Sequence, residues 1–293
     1  MGAGSFYPCI VKCAREKSNR KIRREVRKNR RVREIMKIII SPAKTMREER
    51  DLFEIGGLPV FLERAEHIRD VLRGMSREEL RALYRANDKI TELNWRRLRD
   101  MDLRGGLTPA VLSYVGLQYQ SMAPQVFTES QWEYVRDHLC ILSGFYGILG
   151  AMDGVTPYRL EMQAKISLDG CRDLYEYWGD SIYRELTRGE EHPVIVNLAS
   201  KEYSRAVEPW LQPGDRFITC VFGEETADKN GCPAVKVKAT KAKMARGSMV
   251  RYLAEIGARG EEEIRGFCGD GYRFREELSG ENELVFTQNV CLN

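Results

Sequence analysis

A single large domain of mixed α/β character, α+β in class, is what this 293-residue sequence predicts. Three observations carry the prediction. Short apolar runs recur at Met36–Ile40, Val194–Val196 and Leu284–Phe286, a length that suits strands of a covered sheet. Between them, longer segments repeat apolar residues at helical spacing. No internal repeat or linker divides residues 36–293, so the strands belong to one mixed sheet with helices around it.

Met36 to Ile40 reads as a buried strand closed by Ser41-Pro42, because proline lacks the N–H that ladder pairing needs. Val60 to Arg73 places Phe61, Ala65, Ile68 and Val71/Leu72 on one helical face. Ser76-Arg77-Glu78-Glu79 is a capping box that opens a second helix through Tyr84. Asn87 caps a third, running through Ile90, Leu93 and Leu98. Gly105-Gly106 interrupts the pattern, and Ala110 to Val115 reads as a strand.

Thr128-Glu129-Ser130-Gln131 is another capping box, leading a helix towards Leu142 that stops at Gly144. Leu174, Trp178, Ile182 and Leu186 recur every four residues, which puts Trp178-Gly179-Asp180 on a helix. Val194–Val196 is a short strand, and Ser200 is placed to cap the segment after it. Phe217–Val221 and Val235–Val237 read as strands paired across a Gly/Asp/Asn-rich turn. Ala242, Ala245, Met249, Tyr252/Leu253 and Ile256 form a helical stripe, and Leu284–Phe286 is the closing strand.

The net charge of +4 hides an asymmetry. Residues 1–35 hold twelve Lys/Arg against three Glu, a balance of +9, which leaves 35 basic and 40 acidic residues, or −5, for the remainder. This basic extension is expected to be disordered or loosely helical. It is either a nucleic-acid arm or a solvated appendage, and its charge pattern does not choose between them. The chain has no apolar run near the roughly 20 residues that cross a bilayer and no secretory signal.

Eight cysteines lie scattered without a C-x-x-C pair, which points to reduced thiols in a cytoplasm. His67, His138 and His192 match no zinc spacing, so neither a metal nor a cofactor is expected. The sequence lacks a Walker A loop, a dinucleotide fingerprint, an H-E-x-x-H pair and a G-x-S-x-G elbow. It assigns no enzymatic reaction.

The stretch Leu142–Met162 is the richest in signal. Gly144, Gly147 and Gly150 stand at constant spacing in an apolar run that includes Phe145 and Tyr146. Glycines there mark close backbone approach, so a buried, sharply turning hairpin is expected to deliver Tyr158, Arg159 and Glu161 to one place. Arg159 and Glu161 flank one apolar residue and would share a face on a strand, where they could form an ion pair.

Further motifs are Ile40-Ser41-Pro42-Ala43-Lys44-Thr45, Tyr177-Trp178-Gly179-Asp180, Val196-Asn197-Leu198-Ala199-Ser200-Lys201-Glu202-Tyr203, Ala245-Arg246-Gly247 and Glu283-Leu284-Val285-Phe286. With the glycine run, and in this order, they resemble the YaaA family of bacterial peroxide-stress-resistance proteins. The resemblance spans Met36 to Phe286. It implies a DNA-binding protein that limits oxidative damage and lowers unincorporated intracellular iron. Gly144-Phe145-Tyr146-Gly147 also resembles the turn of a helix-hairpin-helix element, a DNA-binding unit reported for that family, although these glycines are three apart rather than two.

Lys44 and Thr45 follow a strand end closely, a position from which loops commonly present anion ligands. The resemblance at Ser41–Thr45 favours a phosphate contact over an exposed lysine after a turn. Lys241, Lys243 and Arg246 lie on the polar side of the late helix and offer a phosphate-binding edge or an ordinary solvated face. The candidate DNA- or anion-binding set is therefore Lys44, Thr45, Gly144, Gly147, Arg159, Lys241, Lys243 and Arg246. Tyr158, Glu161, Asp180, Asn197, Ser200 and Tyr203 form a candidate polar cleft, through family motif context.

The expected function is a cytoplasmic stress protein that binds duplex or distorted DNA through its phosphates, independently of sequence. The alternative is an enzyme acting on a nucleobase, nucleoside or other phosphate-bearing small molecule. In that case Lys44 and Arg159 hold an anion while Glu161 or Asp180 handles protons.

Overall fold

In a computed structural model of the chain, the run Lys37–Ile40 forms strand β1 in the interior of the principal sheet. The structure describes residues 36–49, 53–188, 190–227, 229 and 233–288, so the basic extension over residues 1–35 lies outside it. Ile38, Ile39 and Ile40 are wholly buried, as a strand covered on both faces requires. β1 pairs in parallel with β5 (Leu139–Ser143) on one side and β8 (Val194–Leu198) on the other. β9 (Arg216–Ala227) continues in parallel beside β8, and β12 (Glu283–Gln288) beside β9.

Counted along the chain, these five parallel strands stand in the order 2-1-3-4-5, a doubly wound arrangement. Antiparallel strands complete the sheet: β6 (Gly147–Gly150) beside β5, β11 (Tyr272–Phe274) beside β12, and β10 (Pro233–Lys236) against the end of β9. The result is the mixed sheet of an α+β domain, with eight strands among the described residues. β9 and β10 do pair antiparallel, while the expected turn between them lies largely outside the described residues. However, Phe217–Val221 pairs with β8 and β12, and only the last four residues of β9 meet β10.

Three helices follow the first strand, namely α1 (Leu62–Gly74), α2 (Arg77–Tyr84) and α3 (Asp88–Asp100). The caps read at Ser76 and Asn87 form, since Ser76 and Glu79 bond reciprocally and Asn87 Oδ1 accepts from Ile90 N at 3.0 Å, whereas Ser200 precedes its helical turn without a side-chain cap bond. Two small ribbons lie beside the main sheet. One pairs β2 (Thr45–Met46) with β4 (Tyr114–Val115), the other β3 (Thr108–Pro109) with β7 (Gly154–Val155).

Ala110–Val115 departs from expectation, forming the helical turn α4 (Ala110–Ser113) before β4 instead of one strand. A short apolar run fits either conformation. Here the Ala110 and Val111 N–H groups donate to the carbonyls of Asp153 and Ala151, at 2.8 and 3.0 Å, and not to a ladder. α5 (Leu117–Met122) comes next, then α6 (Glu129–His138), which stops five residues short of Ser143. Leu139, Ile141 and Leu142 are buried, and that segment pairs with β1 as β5.

Tyr177–Asp180 is likewise not on one helix. α7 (Leu174–Trp178) ends and α8 (Ser181–Leu186) begins around Gly179, whose φ of 51° and ψ of −134° suit glycine. The last helices are α9 (Lys201–Ser204), the long α10 (Ala239–Ile256) and α11 (Glu261–Arg265). Among the described residues, no helix is long and apolar enough to cross a membrane.

The Gly144–Gly147 turn is the buried hairpin expected, but it joins the strands β5 and β6, so it is not a helix-hairpin-helix turn. Phe145 and Tyr146 are 0% and 1% exposed. Their N–H groups donate to Ser143 Oγ at 3.1 and 2.9 Å, so they are already used within the fold. Trp178 Nε1 donates to the Gly144 carbonyl at 3.0 Å, and its ring lies 2.9 Å from where a Gly147 side chain would begin.

Candidate anion-binding cleft

In doubly wound sheets, ligands sit outside the carboxyl ends of adjacent strands whose connections run in opposite directions. Here those strands are β1 and β8, because the chain leaves β1 for β5 on one side and leaves β8 for β9 on the other. Ser41 follows β1 and Ser200 follows β8, and the two meet: Ser200 N donates to Ser41 Oγ at 2.8 Å, and the hydroxyls lie 3.2 Å apart. A cavity of about 310 Å³ opens above them.

Five chain segments line the cavity. The loop after β1 brings Ser41, Lys44 and Thr45, with Ser41 fixed by Tyr119 Oη, which donates to its carbonyl at 2.9 Å. The start of α5 brings Gln118 and Tyr119. Residues 158–161 add Tyr158, Arg159 and Glu161, the start of α9 adds Ser200, Glu202 and Tyr203, and α10 adds Lys243 and Arg246. The cleft thus gathers most of the residues selected from sequence.

Glu161 organises the basic side. Its Oε1 receives Lys44 Nζ at 3.0 Å and Arg159 Nη2 at 3.3 Å. Arg159 also donates to the Tyr84 carbonyl at 3.4 Å. The Arg159–Glu161 pair expected from spacing therefore exists, although residues 158–161 are irregular backbone and not a strand. Glu202 stands nearby, where burial pushes its carboxyl up from its ordinary range, reinforced by the neighbouring Glu161 charge.

Below them, Tyr158 Oη lies 2.6 Å from Ser143 Oγ and 2.8 Å from Tyr114 Oη. Burial pushes the Tyr158 phenol up to about 12 despite those bonds, so it is neutral at physiological pH. Arg246 is drawn below the ordinary guanidinium range by burial yet stays charged.

The placement of Arg246 depends on helix packing. α10 lies so close to α5 that a side chain at Gly247 would begin 2.0 Å from the Gln118 carbonyl oxygen. Gly247 therefore serves the contact between helices.

Other selected residues lie elsewhere. Lys241 Nζ is held by Glu224 Oε1 at 2.7 Å and Gln288 Oε1 at 3.1 Å, and is not part of the cavity lining. Asp180 pairs with Arg184 at 2.5 Å, away from the lining. Asn197 is buried: its amide donates to Thr219 Oγ1 at 3.2 Å and its carbonyl accepts from Ala199 N at 3.0 Å. It shapes the turn that presents Ser200. Gly144 and Gly147 lie in the buried β5–β6 turn that supports the cleft.

Reasoning from sequence passed over Ser41, Gln118, Tyr119 and Glu202 as individuals. Ser41 and Glu202 sit inside recognisable motifs. Gln118 carried only the weak signal of a polar residue within the otherwise apolar run Tyr114–Tyr119.

The basic, partly buried crevice lies at the topological switch point of the parallel strands, the place where doubly wound sheets generally take ligands. The chain belongs to the family described as peroxide stress protein YaaA, whose model matches residues 36–278. It is 51% identical over 254 residues to a UPF0246 protein of Ligilactobacillus salivarius (strain UCC118), covering 87% of this chain and 100% of that relative. A UPF0246 protein of Agathobacter rectalis is 48% identical over 256 residues, with 87% and 100% covered. Another, from Desulfitobacterium hafniense (strain Y51), is 49% identical over 256 residues, with 87% and 99% covered.

Proposed function

We propose that this member of the peroxide stress family is a cytoplasmic DNA-binding protein that takes DNA phosphates, duplex or distorted, at the cleft above β1 and β8. One observation carries the reading. Lys44, Arg159, Lys243 and Arg246 come from three separate segments to one crevice, although residues 36–293 hold five more acidic than basic residues. Such local convergence against the overall charge is the footprint of a polyanion site. Limiting oxidative damage to DNA follows from occupancy of the duplex, and lowered free iron is then an indirect effect.

The test is salt-titrated binding of unrelated duplexes by the full chain and by a Lys44→Gln, Lys243→Gln, Arg246→Gln variant. The extension is common to both proteins, so their difference reports the cleft. Neutralising the three should weaken binding alike for every sequence. The log–log salt slope should flatten by up to about 0.9 for each phosphate that the variant no longer neutralises. An unchanged slope would remove DNA from the cleft.

The alternative is an enzyme acting on a nucleobase, nucleoside or phosphate-bearing small molecule. It draws support from the two carboxylates, Glu161 and Glu202, that share the cleft with these cations.

A further inference from the structure

Three residues of the cleft carry buried N–H groups that find no acceptor among the described residues: Gln118 Nε2, Arg159 Nε and Arg246 Nε. A buried donor without a partner costs stability, so its persistence calls for an acceptor supplied from outside the fold. Gln118 is the most telling, since it is 7% exposed and has no charge to satisfy.

The cleft is also graded. Lys44, with its side chain 65% exposed, and the exposed Lys243 stand at its mouth. Gln118, Tyr119 and Tyr158 are at most 7% exposed. The hydroxyls of both tyrosines are already engaged within the fold, and both residues line the cavity.

We infer that the cleft holds a single unstacked nucleotide, its phosphate among the cations at the mouth and its base turned inward against Gln118. This rests on the reading of the cleft as a phosphate site and gives the occupant a chemical class. A primary carboxamide presents a donor and an acceptor side by side, the complement of a nucleobase edge. Aromatic surface beside it accommodates any base face. A simple anion would satisfy the mouth and leave the Gln118 amide to water. The cavity, about 310 Å³, falls within the range of small-molecule sites. A continuous duplex cannot present a base there unless that base leaves the stack, which is easiest at a bulge, mismatch or damaged site.

The experiment uses the full chain and two duplexes that differ only in carrying 2-aminopurine either paired or as a single-nucleotide bulge. The bulged duplex should bind about tenfold more tightly, a typical value for one bidentate base contact. Its 2-aminopurine should become shielded from a soluble quencher on binding. AMP should compete with it where equimolar inorganic phosphate does not. Gln118→Leu should lose the preference for the bulge over the paired duplex. Should that variant fail to fold, shielding and AMP competition in the wild type still decide.

Equal affinity with an unshielded base would overturn the nucleotide site and leave phosphate-mediated DNA binding standing. If no DNA binds at any salt, the DNA reading fails separately, and equilibrium dialysis with AMP then decides. Binding of AMP in preference to phosphate would make a free nucleotide the occupant, and absence of binding would overturn the inference too.

Discussion

Gly247→Ala sets two opposing effects against each other at the heart of the cleft. Position 247 lies inside α10, where replacing glycine by alanine ordinarily adds about 1 kcal/mol through helix propensity. Its surroundings oppose this, because the new Cβ would begin 2.0 Å from the Gln118 carbonyl oxygen, 2.9 Å from its carbon and 3.0 Å from Met122 N. All three are backbone atoms of α5 or its end, so no side-chain rotation relieves the overlap. Reaching ordinary contact requires α5 to retreat by more than about 1 Å, and overpacking of this kind costs about 1–3 kcal/mol or more. The packing term should win, for a net loss of about 1–2 kcal/mol. In a domain of this size, that lowers the melting temperature by several degrees, at about 2–4 °C per kcal/mol. Gly74→Ala is the control, since it ends α1 with nothing within 4 Å and should be neutral or slightly stabilising. Urea unfolding of both variants measures the difference, and DNA affinity should fall for Gly247→Ala because Gln118 and Arg246 move apart. A Gly247→Ala protein as stable as the wild type would refute the claim that this contact is closed.

Two further outcomes rest on charge and burial. Burial pushes the Asp153 carboxyl from 3.8 up to about 6. Because the folded value is raised, the folded state prefers the proton, so stability is fullest below about pH 4 and falls as pH rises through about 6, by at most about 3 kcal/mol. Asp153→Asn keeps an acceptor for the Gly150 N–H, bonded at 2.8 Å in the wild type. Its stability relative to wild type should therefore grow from pH 4 to pH 7.5 in urea titrations, and a difference independent of pH would exclude this origin. Removing residues 1–35 should leave cooperative unfolding of the remainder within about 1 °C by calorimetry, since that segment has little apolar surface to bury. A large loss would make it part of the fold.

Patterns in the sequence revealed elements where burial is one-sided and caps are local. Ser76, Asn87 and Thr128 each open a helix as their spacing predicts. Ends decided by distant partners were harder to see. Leu139–Leu142 continues an apolar pattern that suits a helix, and only pairing with β1 makes it a strand. Ala110–Ser113 fails for the same reason, its backbone bonds being made with residues 151 and 153. In the cleft, charged residues within recognisable motifs were legible. Gln118 was not, because its importance lies in lacking a partner after folding.

The glycine run shows how much of a sequence motif can belong to the support under a site. Gly144 lets the Leu160–Glu161 peptide lie against the β5–β6 turn, since a side chain there would begin 2.8 Å from the Leu160 carbonyl oxygen. Gly147, at a φ of +74°, faces the Trp178 ring, and that indole bonds back to Gly144. Trp178, far away in sequence, thus braces the Gly144–Gly147 turn, and that turn packs against the segment that carries Tyr158, Arg159 and Glu161. A ligand that needs Arg159 and Glu161 in register with Lys44 therefore depends on glycines it has no need to touch. The groups that line the cleft come from five separate segments, with no shared spacing to betray them. The glycine pattern is conspicuous in the sequence because close backbone approach tolerates so few residue types there.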